Sequence, residues 1–300
     1  MKHIVSVSLG SSKRDHSVEM EILGQALKIE RIGTDGSMDK MIEMIKDMDG
    51  KVDAFGLGGM DLYIFAGTRR YILRDAQKVA SAAKLTPIVD GSGLKNTLER
   101  KVINYLRDNT DLLPPDTQVL MVCAMDRFGM AQALAQSGCS LMLGDLKFVL
   151  GLPLILKSLG SLEVVASIIV PGVRLLPFKY LYPIGSKQDK GTPKHGKYYQ
   201  KADIIAGDFH FIRRYMPARL EGKSIITNTV TSDDVKLLKD RGVRYLDTTT
   251  PEIKGRSFGT NVMEAVLVAL SGERDELTSE EYSQLLSDIN FKPRVELLNS

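Results

Sequence analysis

Short runs of β-branched residues alternate with stretches of helical periodicity from the start of the chain almost to its end. This alternation is typical of βαβ units, in which helices join parallel strands and pack on the sheet. In the first half it predicts strands over 4–9, 26–32, 52–57 and 86–90, and helices over 38–48, 72–83 and 96–106. The chain is therefore expected to be an α/β protein.

The same alternation restarts in the second half, after a polar stretch with two adjacent prolines at 109–117. Strands are predicted over 119–123, 140–143, 164–169, 202–206, 224–228 and 245–248, and helices over 128–137, 209–215, 233–241, 262–270 and 279–287. At 300 residues the chain exceeds the usual size of one domain. We predict a smaller N-terminal parallel α/β domain over 1–113, a second α/β domain over 114–270, and a C-terminal helical segment over 271–300 that reaches back onto the first domain.

Charge and cysteine content exclude several classes of protein. The formal net charge is only +3, which gives no reason to expect a nucleic-acid or membrane partner. Cys123 and Cys139 lie in apolar settings, so we expect buried thiols in a reducing compartment and no cysteine-based zinc site. The N-terminus is interpreted as a strand and not a signal sequence, and no stretch approaches the roughly 20 apolar residues of a membrane span. We expect a cytoplasmic protein without a metal.

One passage combines a strand, a tight turn, an amphipathic helix and a second strand: VLMVCAMDRFGMAQALAQSGCSLMLGDL. This is the order of a Rossmann unit, in which turn glycines let a pyrophosphate approach the backbone at a helix N-terminus. The second domain is therefore predicted to be a Rossmann-like doubly wound domain. Of the three usual glycine positions in the turn 124–129, only Gly129 is a glycine. Asp126 either caps the following helix or faces the ligand, and Arg127 is either solvated or meets phosphate from the side.

Asp145 ends the second strand, where an acid would hold a ribose hydroxyl. Further polar residues follow the later strands of this domain, and the carboxyl ends of such strands are where ligands bind. Asp208 and His210 are either a proton-transfer pair or a helix cap with its packed neighbour. The residues predicted to bind a cofactor are Ala124, Asp126, Arg127, Phe128, Gly129, Asp145, Asp208, Asn228 and Thr229.

Polar loops also follow the predicted strands of the first domain, and we expect them to converge at one edge of its sheet. Each loop taken alone also has the composition of an ordinary βα turn. The run 255–261 contributes Arg256 and Asn261 either to a helix cap or to a cleft between the domains, and the basic stretch 187–201 is expected to be a surface loop. The residues predicted to bind substrate are Ser11, Ser12, Lys13, Ser92, Asn96 and Asn261.

The layout resembles that of the shikimate/quinate 5-dehydrogenases, chiefly through VLMVCAMDRFGMAQALAQSG and the later pair of strands ADII and SIITNTVT. In that family a Lys and an Asp of the first domain assist proton transfer, while NAD or NADP on the second domain exchanges hydride with a ring alcohol or ketone. We predict that Lys95, together with Asp61 or Asp90, carries out this proton transfer, because all three residues follow predicted strands. His210 is a further candidate for a catalytic residue.

The leading hypothesis is an NAD(P)-linked oxidoreductase acting on a small hydroxylated acid in the cleft between the domains. One alternative is a non-redox sensor or carrier of a small anion or nucleotide, which the acidic Asp126 favours. Another is a transferase using S-adenosylmethionine, which fits the acidic strand end at Asp145. The C-terminal helical segment would also suit a homodimer.

Overall fold

The computed structural model describes residues 1–66, 69–174, 193–250, 252–253, 256–257 and 259–300. They form two α/β units, each with its own largely parallel sheet, which confirms the predicted fold class. In the described part of the chain no helix combines the length and the apolarity that a membrane crossing requires.

The first sheet has five strands in the order β2-β3-β1-β4-β7. β1 lies at its centre, parallel to β3 and β4, while β2 runs antiparallel to β3. Central strands of this kind are buried on both faces, and the last five residues of β1 are all buried. The strands are β1 Lys2–Ser8, β2 His16–Ile22, β3 Gln25–Gly33, β4 Ala54–Gly58 and β7 Ile88–Val89, and a separate hairpin consists of β5 Tyr63–Ala66 and β6 Arg69–Ile72.

The second sheet has six strands in the order β15-β12-β11-β10-β8-β9. All neighbours are parallel except β15, which adds the end of the chain antiparallel to β12. The order reverses between β8 and β10, which is the switch point where Rossmann-type sheets bind ligands. The strands are β8 Gln118–Met121, β9 Ser140–Leu143, β10 Ile204–Ala206, β11 Ser224–Thr227, β12 Tyr245–Thr248 and β15 Arg294–Leu297, and a small pair consists of β13 Glu252–Ile253 and β14 Arg256–Ser257.

Helices cover both faces of each sheet. They are α1 Met38–Met48, α2 Arg74–Ala80, α3 Ser92–Asn109, α4 Phe128–Gln136, α5 Leu159–Val173, α6 Gly196–Lys201, α7 Phe209–Tyr215, α8 Ser232–Asp240, α9 Thr260–Ser271 and α10 Ser279–Asp288. The long α3 leaves the first sheet and contributes Val102, Ile103 and Leu106 to the core of the second. The two units are therefore joined by packed helices as well as by the chain.

The C-terminal helices α9 and α10 pack on the first sheet, whereas Arg294–Leu297 of the predicted C-terminal helical segment forms β15 on the second sheet. α9 and α10 contribute most of a core cluster that includes Ile4 of β1 and Leu27 of β3. The predicted boundary at 270 leaves α9 with the second domain, whereas its packing is with the first. The reason is that α9 is apolar on nearly every face, with ten buried residues, and finds its cover on that sheet.

The strand predicted over 164–169 is wrong, because these residues lie inside α5. β-branched residues favour strands, but Leu162, Ala166 and Val170 recur at helical spacing and are all buried, while Val164 and Ile168 face solvent. Ser158 caps the helix by accepting a hydrogen bond from the Ser161 N–H at 3.2 Å. Of the predicted loop 187–201, residues 187–192 lie outside the described residues and the last six residues form α6.

Candidate functional site

The loops after β1 and β4 meet at the carboxyl edge of the first sheet. The Leu9 N–H donates to the Gly58 carbonyl at 2.9 Å, so these neighbouring strands end together. Asp61 follows this junction, and α3 begins beside it after β7. The second sheet presents its own carboxyl edge at the turn after β8, which lies against the start of α3.

Three charged side chains meet between these two edges. Lys95 Nζ on α3 lies 2.8 Å from Asp126 Oδ1, in the turn after β8, and 3.4 Å from Asp61 Oδ1. The side chains of Lys95, Asp61 and Asp126 are 11%, 19% and 28% exposed, so the group opens partly to solvent. We call these three residues the cleft triad. They bring one ammonium group and two carboxylates together between the carboxyl edges of the two sheets.

The charges of the cleft triad fix its protonation. Burial alone would lower the pKa of Lys95, but the carboxylates of Asp126 and Asp61 outweigh it and raise that pKa, so Lys95 is an ammonium group. Burial raises the pKa of Asp126 to about 6, against the lowering effect of Lys95. Asp126 therefore titrates close to neutral pH.

A second set of polar side chains lies behind the cleft triad, and we call it the inner layer: Glu99, Arg127, Asp208 and Asn228. Arg127 is 2% exposed and forms ion pairs with Glu99 and, at 3.2 Å, with Asp208 Oδ2. Asn228 Nδ2 donates to the same Asp208 oxygen at 2.7 Å. Arg127 is therefore not solvated, and it could meet a phosphate only by breaking these ion pairs.

The inner layer is incompletely satisfied. Within the described residues, neither Glu99 Oε2 nor Arg127 Nε has a hydrogen-bond partner, although both atoms are buried. Glu99 lies one helical turn after Lys95 on α3, so the same helix face serves both layers. Glu99 is not among the residues predicted from the sequence; its spacing of four residues from Lys95 on the same helix is the signal that could have found it.

Backbone N–H groups of the turn after β8 are used within the protein. Asp145 Oδ1 accepts from the Ala124 N–H at 3.0 Å and the Met125 N–H at 2.7 Å. The Arg127 N–H donates to the Ala124 carbonyl at 3.0 Å. Asp145, predicted to hold a ribose, is 3% exposed and fastens this turn instead.

Gly129, the single conventional glycine of the turn, serves a contact between helices. A Cβ at this position would lie 2.2 Å from Asn96 Oδ1 and 2.9 Å from the Asn96 carbonyl oxygen. Its missing side chain therefore lets α4 approach α3 across the domain boundary. Asn96, predicted to bind substrate, is one side of this contact, while Phe128 begins α4 and Ala124 is fully buried.

Other predicted site residues hold the fold locally. Asp90 Oδ1 accepts from the Ser92 hydroxyl at 2.6 Å, and Asp90 Oδ2 accepts from the Leu62 N–H at 2.5 Å. Asn261 Nδ2 donates to the Ser6 hydroxyl at 2.8 Å, which holds the start of α9 over the first sheet. Asp90, Ser92 and Asn261 thus take part in helix starts and packing.

The remaining predicted residues lie nearer solvent. Ser11, Ser12 and Lys13 form an exposed turn after β1, in which Ser11 Oγ accepts from the Lys13 N–H at 3.3 Å. His210 is exposed, and its backbone N–H donates to Asp208 Oδ1 at 2.8 Å, so Asp208 caps α7. Thr229 follows Asn228 at the end of β11. The side chain of Arg256 lies outside the described residues.

The hairpin β5–β6 and helix α5 pack beside the turn after β8, and neither element was predicted from the sequence. Met125, next to Asp126, packs against Ala166 and Val170 of α5, as do Ile64 and Tyr71 of the hairpin. Two short runs of aromatic and β-branched residues, YIF and YI in the sequence YIFAGTRRYI, were the available signal for the hairpin. In the described ranges, no three His, Cys, Asp or Glu residues gather as a metal site would require.

Comparison with known proteins gives a family and distant structural likenesses. A galactofuranose binding protein is 11% identical, with coverage of 99% of this chain and 95% of that one and a TM-score of 0.36. The NAD-dependent malic enzyme of Thermotoga maritima is 10% identical, with coverage of 96% and 84% and a TM-score of 0.34. A glutamate dehydrogenase is 12% identical, with coverage of 89% and 64% and a TM-score of 0.40.

No curated protein sequence matches the chain. Residues 3–90 match a family model described as Domain of unknown function (DUF8753), and residues 93–298 match one described as Domain of unknown function (DUF8754). The junction between these matches falls at the start of α3, the helix that carries Lys95. The second match covers more than half of the chain, so the chain belongs to the DUF8754 family.

Proposed function

We propose that the cleft binds a small hydroxylated molecule, and that Asp126 exchanges a proton with one of its hydroxyl groups. The observation that carries this proposal is the 2.8 Å contact of Lys95 with Asp126 at a partly open junction of two strand edges. Asp126 suits the proton because its pKa of about 6 lies near the pH of cells. Lys95 keeps its proton and donates hydrogen bonds to a substrate oxygen.

Charge balance favours a neutral hydroxylated ligand over the hydroxylated acid that the sequence suggests. The exposed atoms of the cleft triad belong to two carboxylates and one ammonium group, and Arg127 is committed to Glu99 and Asp208. An anion would therefore meet net negative charge in a partly desolvated cleft, which is unfavourable. A hydroxyl group can instead donate to a carboxylate and accept from Lys95 at the same time.

The test is binding of a defined panel by ligand-detected NMR. The panel pairs neutral polyols, such as inositol and galactose, with the hydroxylated acids quinate and shikimate. We expect the neutral members to bind the parent protein, and to bind Asp126→Asn and Lys95→Met at least about tenfold more weakly, because a charged hydrogen bond is lost. Asp203→Asn, an exposed carboxylate at the opposite edge of the second sheet, is the matched control and should bind as the parent does.

Selective binding of the acids, or full binding by both cleft variants, would contradict the proposal. Turnover distinguishes an enzyme from a carrier, since a carrier would return the bound molecule unchanged. Incubation of the parent with each binder, followed by mass spectrometry of the recovered molecule, reads this out.

The alternative function is NAD(P)-linked oxidation of the bound hydroxyl group. The order β9-β8-β10-β11-β12 favours it, because dinucleotide-binding sheets reverse their order at the same point. It requires NAD or NADP to bind the parent chain, which isothermal titration with each cofactor measures directly. S-adenosylmethionine belongs in the same titration series, and heat of binding with it alone would favour the transferase hypothesis.

A further inference from the structure

The turn after β8 does not fit the diphosphate that the strand order implies. We infer that this turn supplies Asp126 to the cleft in place of holding a cofactor, and that the Asp126 side chain is the group that excludes a dinucleotide. The inference deepens the proposed function, since it concerns the same carboxyl group, but it is tested with a different ligand.

The first argument is steric. Asp126 stands at the second glycine position of the turn, where the absence of a side chain lets a pyrophosphate approach the backbone. Its side chain is not free to swing aside, because Asp126 Oδ1 lies 2.8 Å from Lys95 Nζ on the neighbouring domain. A diphosphate would have to displace an ion pair that joins the two domains.

The second argument concerns the donors. A diphosphate on a helix N-terminus is held by backbone N–H groups. Those of Ala124 and Met125 already donate to Asp145, and the Arg127 N–H donates to the Ala124 carbonyl. A cofactor would find these three turn donors occupied.

Asp145 is fixed in this position by the segment that follows it. The Leu150 N–H donates to the Asp145 carbonyl at 3.3 Å, and Phe148 packs edge-on against His195 and Tyr215, with ring centroids 5.3 and 5.4 Å away. The contact of Asp145 with the turn is therefore supported by a packed loop. The Asp145 carboxylate thus stabilises the turn after β8 through contacts within the protein.

The third argument is electrostatic. Asp126, Asp145 and Asp208 all lie at the carboxyl edge of β8, β9 and β10, while Arg127 is turned inward. Two phosphate charges placed there would meet these acids, while the two nearby cations, Lys95 and Arg127, are already paired with carboxylates. The same acids suit a turn that presents a titrating carboxyl group to a neutral hydroxylated ligand.

The experiment is isothermal titration of NAD and NADP into the parent, Asp126→Gly, Asp126→Asn and Asp116→Gly. Asp116→Gly is the matched control, because it makes the same substitution at the opposite end of β8. Asp116 is exposed and has a positive φ of 68°, which glycine adopts readily. We expect no measurable affinity in the parent and in Asp116→Gly. Asp126→Gly should bind with an affinity at least about tenfold above the detection limit, and Asp126→Asn should bind more weakly than Asp126→Gly because the bulk of its side chain remains.

Binding of NAD or NADP by the parent, or a folded Asp126→Gly with unchanged affinity, would overturn the inference. Folding of each variant is read from its thermal unfolding curve. If Asp126→Gly does not fold, NMR of the parent decides: shifts of the Phe128 and Gly129 amide signals on addition of NAD oppose the inference, and their absence supports it. Polyol binding by the parent is scored separately, so failure here leaves the proposed function standing.

Discussion

Lys95 of α3 and Asp126 of the turn after β8 form an ion pair of 2.8 Å that joins the start of α3 to the carboxyl edge of the second sheet. The pair sets the chemistry of both partners, because it keeps Lys95 charged and holds the pKa of Asp126 below the value that burial alone would give. A cation and a titrating acid are thereby held together in a partly open cleft.

Replacing Lys95 should move the titration of Asp126. In Lys95→Met the lowering effect of the ammonium group is lost, so the pKa of Asp126 should rise above its present value of about 6. Carboxyl carbon NMR across a pH series measures this. Arg107→Met, which removes an exposed cation from the last turn of the same helix, should leave the titration unchanged. An unchanged Asp126 curve in Lys95→Met would contradict the assigned contact.

Breaking the buried pair of Arg127 with Glu99 should destabilise the protein. Arg127→Met leaves Glu99 and Asp208 without their cation, and the loss of one partner of a buried pair typically costs about 3 to 5 kcal/mol. Urea unfolding gives the free energy. Glu99→Leu combined with Arg127→Met should recover part of the loss, because both buried charges are then removed.

The matched control for that series is Arg219→Met, which breaks a pair between side chains that are 86% and 67% exposed. The loss of unfolding free energy in Arg219→Met should stay below about 1 kcal/mol, because solvent screens such exposed pairs. Equal losses in the buried and exposed variants would show that burial does not govern the Arg127 pair.

Asp247 should make the protein less stable as the pH rises. It is fully buried on β12, no described residue donates a hydrogen bond to either of its oxygens, and burial raises its pKa to about 8. The folded state therefore holds a proton that the unfolded state releases above its ordinary value of 3.8. Stability from this group is present at low pH and is lost as the pH rises towards 8, by about 1.4 kcal/mol per pH unit.

Asp247→Val removes this linkage, and valine suits a strand packed against Ile226 and Val295 in register. We expect the gain in unfolding free energy over the parent to grow from pH 4 to pH 8 and then to level off. Chemical denaturation at a series of pH values measures it. Some decline will remain in the variant, since burial also raises the pKa of Glu264 to about 8. A gain in unfolding free energy that does not change with pH would contradict the raised pKa of Asp247.

Gly129→Ala should loosen the contact between α3 and α4. The added Cβ would lie 2.9 Å from the Asn96 carbonyl oxygen, and overpacking of this kind typically costs about 1 to 3 kcal/mol. Gly160→Ala in α5 is the control, because a Cβ there meets nothing within 4 Å and should add up to about 1 kcal/mol of helix stability. Thermal unfolding compares the two, and a Gly129→Ala as stable as the parent would argue against close packing at this point.

Local sequence pattern was sufficient to predict an element where the residues of that element alone determine its structure. The helix at 38–48, the strands at 140–143 and 245–248 and the helix at 209–215 are predicted with their observed bounds. The local pattern gave a wrong or missing prediction where packing against a neighbouring element determines the structure. The β-branched residues of α5 are helical because Leu162, Ala166 and Val170 find buried positions, and β15 exists because the edge of β12 pairs with it.

The sequence by itself determined the alternation of strands and helices, the two α/β units, and the acidic turn after β8, because each depends on residues close together in the chain. Only the tertiary structure decided what the acids of that turn contact. Asp126 meets Lys95 from 31 residues away and Asp145 reaches back to Met125 from 20, through the packing of α3 on α4 and of β9 beside β8. Such contacts depend on how elements pack in three dimensions, which no local periodicity records.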